Sequence, residues 1–187
     1  VTLGVLLSGR GEITVENANG YMTVQLVAGT IAATIAQAVT GAAPAPAPAA
    51  TFSDEVAVLM EFLYTFALVF VVLNVATTKS TDGNSYFGLA IGFTVTVGAW
   101  SIGGISGCAM NPAVGTGLIA LDTVGGAGKL WVYWVGPMLG SVLAALVFRL
   151  TSMDEFESFD RALGLCATLS SSTYAAKVIP ENSSKNE

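Results

Sequence analysis

The chain has 187 residues, of which 53% are hydrophobic and 11% charged, against about 25% charged in an average soluble domain. Its formal net charge of −6 owes much to Asp154, Glu155, Glu157 and Asp160 near the end, and no basic stripe suited to nucleic acid is present. There is no histidine, no pair of carboxylates inside an apolar stretch and no nucleophile beside a base. Enzymatic chemistry is therefore excluded, and no cofactor or metal is expected.

The chain opens on Val1 inside an apolar run and reads as cut at its start, with no signal peptide legible. Residues 1–8 are apolar but stop at Ser8-Gly9-Arg10-Gly11, and a helix of that length reaches about 12 Å, less than half of a hydrocarbon core of about 30 Å. Residues 21–41, 56–76, 86–105 and 130–150 each supply the roughly 20 mostly apolar residues that a span needs. Between the first two, residues 42–50 alternate Ala and Pro and read as a stiff, extended spacer. Residues 112–121 make a second piece too short to cross. The fold class expected is an all-α membrane protein: four full transmembrane helices and two half-helices in residues 1–151, followed by a cytoplasmic tail over 152–187. Broken helices at membrane depth are tolerated only where protein buries them or a wet cavity receives them, so a pore or cavity follows.

Charge agrees with four spans. If the segment around Arg10 is cytoplasmic, alternation places Lys79, Arg149, Arg161, Lys177 and Lys185 on the same side and leaves only Lys129 opposite, six of seven cations on one face. Small residues recur every fourth position at Ala28, Ala32 and Ala36, at Gly88 and Gly92, and at Gly136, Gly140 and Ala144, spacings that let helices in lipid approach closely. Cys108 and Cys166 have no metal-ligand spacing and would lie across the membrane from one another, so no disulfide is expected between them. In the tail, Phe156, Phe159 and Leu163 share one helical face, as in a surface helix or docking segment. Ser170 to Thr173 read as phosphorylation sites or as plain disordered tail.

The stretch Ser106-Gly107-Cys108-Ala109-Met110-Asn111-Pro112-Ala113-Val114-Gly115 carries the chemistry. Asn is a preferred N-cap and Pro a preferred first helical residue, so Asn111-Pro112 starts a helix inside the bundle. Its amino end bears about half a positive charge, and Asn111 can cap the backbone with its oxygen while offering amide hydrogens to a neutral solute. Glu61 is an ionisable group inside a span, read either as an interior residue with a partner or as one snorkelling to the interface. Cys108 is either a pore-facing thiol or a small buried hydrophobe.

These motifs, with Val1-Thr2-Leu3-Gly4, Gln25 with Gly29, Glu61 with Thr65, and Trp131-Val132-Tyr133-Trp134-Val135-Gly136-Pro137 with Gly140, make residues 1 to 150 resemble the aquaporin and aquaglyceroporin (major intrinsic protein) family. The resemblance implies two half-helices, each beginning Asn-Pro-Ala, with Asn111, Pro112 and Ala113 as the second motif and the first motif upstream with two further helices. It implies that the chain by itself does not conduct. It implies Glu61 as a brace for the half-helix loop, and Ala99, Cys108 and Val114 as the walls of the narrowest ring. Relatives usually carry His at the first of these and Arg at the last; neither is here. The implied activity is passive passage of water or small neutral solutes such as glycerol, urea or ammonia through a widened, Arg-less filter. The alternative is a non-conducting structural or interaction subunit. Implied partners are membrane lipid, the solute, and further copies in a homotetramer or larger membrane complex.

Overall fold

The computed structural model describes residues 1–10, 12–42, 45–121 and 126–156. Thr14 accepts a hydrogen bond from the Asn17 amide at 3.2 Å, and Glu16 suits the first turn. The long helix after α1 (Thr2–Ser8) therefore begins as α2 at Val15 and runs to Thr40, six residues ahead of the apolar stretch that starts at Tyr21. Left-handed Gly41 closes it. α3 (Asp54–Ala76), α4 (Phe87–Ser106), α5 (Pro112–Ile119) and α6 (Leu130–Thr151) follow. α2, α3, α4 and α6 are long and apolar enough to cross a membrane, whereas the 8 residues of α5 reach only about 12 Å. The chain is an integral, multi-pass, all-helical membrane protein.

The chain divides into two units, residues 1–151 and 152–187. In the first, α3 and α6 form the centre. A methyl on Gly136 would lie 2.9 Å from the Val58 carbonyl and one on Gly140 2.9 Å from the Phe66 amide, so both glycines let backbone meet backbone, and Ala144 continues the row fully buried. The other small-residue rows behave differently. Ala28, Ala32 and Ala36 are exposed, and a methyl on Gly88 or Gly92 would meet nothing within 4 Å. α2 packs instead through the neighbouring row: Gly29 lies against the Ala113 carbonyl, 2.8 Å from an added methyl, and Ala33 is buried. One residue is about 100° around a helix, so the two rows face different ways.

The ends of this unit are tied by charge. Arg10 donates from Nε and Nη2 to the Thr77 carbonyl at 2.9 and 2.6 Å, just before Lys79, and the Arg149 guanidinium lies beside Gly9. At the opposite end of α3, Lys129 Nζ sits 2.7 and 2.6 Å from the two Asp54 carboxylate oxygens.

The linker after α2 is not a free spacer. Pro46 is buried, a methyl on Gly107 would lie 2.8 Å from Pro46 Cα, and the Ala49 amide donates to the Ile105 carbonyl at 2.9 Å. Its small apolar side chains let the extended backbone lie flat on the end of α4. In the second unit, Met153–Phe156 forms a 3-10 turn. Phe159, Leu163, Cys166 and Ser170 to Thr173 lie outside the described residues.

Candidate functional site

α5 begins as its sequence dictates. Asn111 is extended, and its Oδ1 accepts from the Ala113 amide at 2.9 Å, with Pro112 the first helical residue. The capping bond engages the side-chain oxygen and leaves the amide hydrogens as donors. The start of α5 meets the start of α1: Val1, Thr2 and Leu3 share with Met110, Asn111, Pro112 and Ala113 the wall of a cavity of about 60 Å³. Met22 and Gln25 of α2 and Trp134 and Met138 of α6 are among its other walls. Each short helix is tied to a long one, by Gln25 Nε2 donating to Thr2 Oγ1 and by Trp134 Nε1 donating to Thr116 Oγ1, both at 3.0 Å.

The approach to Asn111 is strained. Gly107, Cys108 and Met110 have φ of 85°, 52° and 47°, and the left-handed conformation costs a non-glycine residue about 1–2 kcal/mol. Such a path makes successive amides converge into a concavity that suits an anion. Glu61, fully buried on α3, fills it: Oε1 accepts from the Ala109 amide at 2.9 Å and Ser106 Oγ at 2.7 Å, and Oε2 from the Met110 amide at 2.6 Å. Ser106 Oγ also accepts from the Cys108 amide, and the Tyr133 hydroxyl donates to the Ser106 carbonyl.

Cys108 and Val114 border a second cavity, of about 450 Å³, that Ala45, Pro46 and Ala47 of the linker also line. Ala99 borders neither cavity and is exposed on α4. Its buried neighbour Gly98 faces the loop, where a methyl would sit 3.5 Å from Cys108 Sγ and 2.9 Å from Met110 Sδ.

A helical bundle with two short helices meeting start to start is thus built around Asn-Pro-Ala, and residues 1–148 match the family model described as Major intrinsic protein. The chain belongs to the major intrinsic protein family. Aquaporin-4 of Mus musculus is 37% identical over 91 residues, 49% of this chain and 28% of its own length. Aquaporin NIP1-3 of Oryza sativa subsp. japonica is 42% identical over 100 residues, 52% of this chain and 33% of its own. Aquaporin TIP2-3 of Arabidopsis thaliana is 35% identical over 104 residues, 55% and 41% respectively. The matched part thus spans less than half of each of these relatives.

Of the positions singled out by sequence in this major intrinsic protein, Asn111, Pro112 and Ala113 share one cavity, Cys108 and Val114 another, and Ala99 stands apart. Sequence reasoning missed the linker wall, the Ser106 hydroxyl bond to Glu61, the Tyr133 bond to the Ser106 carbonyl, and the contact of Gly98 with Met110. Tyr133 carried a signal, because a phenol inside an apolar span needs a partner for its hydroxyl.

Proposed function

We propose that the complete protein is a passive transmembrane channel for water and small neutral solutes such as glycerol, urea or ammonia, and that this chain supplies the half of the conduit containing Asn111. The observation that carries this is the placement of Asn111. Asn111 lies where two short helices meet inside a membrane-spanning bundle and lines a cavity of about 60 Å³. The positive helix end opposes cations, while hydrogen-bonding neutral molecules find donors. Val114 presents an apolar wall where a fixed cation would otherwise narrow the passage, which favours solutes larger than water. Glu61 holds the loop from behind. The Arg10, Lys79 and Arg149 end faces the cytoplasm, by the positive-inside bias, and four copies assemble in lipid as the family resemblance implies.

Osmotic swelling of proteoliposomes containing the complete protein tests this. Water and at least one of glycerol or urea should pass faster than through empty vesicles. Water passage with strict solute exclusion would refute the wide filter, and no passage of any kind would refute the channel in favour of a structural subunit.

A further inference from the structure

Gly98 and Met110 lie outside the wall positions expected from sequence, yet they meet beside Asn111. The Met110 backbone is fixed: its amide is held by Glu61 at 2.6 Å and its φ is 47°, so the side chain leaves the loop in a set direction. Met110 is 5% exposed and clusters with Leu68 and Val72 of α3, against which Val5, Tyr64, Ile91 and Cys108 pack. Its far end occupies the space that Gly98 leaves by having no side chain, since a methyl there would lie 2.9 Å from Sδ and 3.0 Å from Cε. Met110 also borders the cavity of about 60 Å³ that contains Asn111. With that cluster packed on one side and the cavity on another, a side chain displaced from the Gly98 notch has the cavity as its neighbouring open space.

We propose that Gly98 and Met110 form a specificity-determining pair, in which the notch at Gly98 parks the Met110 thioether clear of the Asn111 cavity and thereby sets the largest solute that passes. The inference rests on the channel reading above and names a determinant of selectivity at the same site. A thioether is flexible and adaptable, so a small change at position 98 moves it without demanding that a helix move. Gly98→Ala is therefore a usable probe, because the atoms in its way are the far end of a flexible side chain.

The test is the ratio of urea to water permeability in proteoliposomes of the complete protein, since a loss of folded channel lowers both rates together and leaves the ratio alone. Gly98→Ala should lower the ratio about tenfold, the lower end of what one methylene changes in a shaped pocket. Met110→Val lacks the atoms that reach Gly98 and only empties the notch, so by itself it should leave the ratio within about twofold of wild type. The double variant should return to within about twofold of the wild-type ratio, because coupled neighbours are non-additive. Additive effects, or no effect of Gly98→Ala on the ratio, overturn the pair while the channel reading stands. A wild type that passes neither water nor urea overturns the channel reading and the specificity role with it.

Discussion

Glu61→Gln isolates what the buried carboxylate does, because it keeps shape and changes only charge and hydrogen-bonding capacity. Glu61 accepts three hydrogen bonds, two on Oε1 and one on Oε2. A glutamine oriented with its oxygen toward Ser106 and Ala109 keeps the first two at neutral strength, a loss of about 0.5–1 kcal/mol each. Its NH2 then meets the Met110 amide donor, at a site where the present distance is 2.6 Å, leaving a buried donor unsatisfied at about 1–3 kcal/mol. Relief from burying a charge offsets part of this. The net expectation is about 2–4 kcal/mol of destabilisation, a melting temperature lower by roughly 5–15 °C. The strained loop should loosen at the same time, and Cys108, now half-buried, should react faster with a thiol reagent. Thermal unfolding of the complete protein in detergent and the alkylation rate of Cys108 measure the two effects. If both are unchanged, the carboxylate is not what holds residues 108–110, and the argument from the three bonds is wrong.

Gly140→Ala sets a methyl against the backbone of α3, 2.9 Å from the Phe66 amide, and should cost more than about 2 kcal/mol by forcing packed elements apart. Gly20→Ala meets nothing within 4 Å and should stabilise by about 0.5–1 kcal/mol through helix propensity; a reversed order in thermal unfolding would contradict the packing described. A mercurial should slow solute flux by modifying Cys108 at the edge of the cavity of about 450 Å³, and Cys108→Ser should abolish the block; unchanged flux after verified modification would place the thiol outside the path. Val114→Arg should reduce glycerol or urea flux more than water flux, as a fixed cation with several donors narrows the passage; equal reductions would show that position 114 does not discriminate.

Length and polarity made the spans readable, because crossing lipid demands about 20 apolar residues whatever the packing, and Asn111-Pro112 made the start of α5 readable because capping is local chemistry. Packing faces were not readable in the same way. Ala28, Ala32 and Ala36 have the right spacing, as do Gly29 and Ala33, and only the position of α5 decides which row is used. The linker is a similar case: alternating Ala and Pro dictates an extended backbone, but its resting place over Gly107 depends on a glycine some 60 residues later in the chain. The Gly98 and Met110 contact needed the left-handed loop, which nothing in Cys108 or Met110 announces, since side chains of that kind disfavour it. At Ala99 the family spacing named the position, yet the exposed side chain borders neither cavity.

The span between Glu61 and its partners has a consequence for how the chain enters the bilayer. The donors that satisfy the carboxylate lie 45 to 49 residues downstream, and at about 5–20 residues per second a ribosome needs roughly 2–10 s to make that length. For that interval α3 has been synthesised without its acceptor's partners, and an ionisable group inside a span is expensive to leave unpaired. The remainder of α3 is dominated by Val, Leu and Phe and is the most apolar of the four long helices, so its insertion can outweigh one polar liability. Glu61 is satisfied only when Ser106, Ala109 and Met110 arrive, so the loop that precedes α5 completes the burial of a helix made well before it.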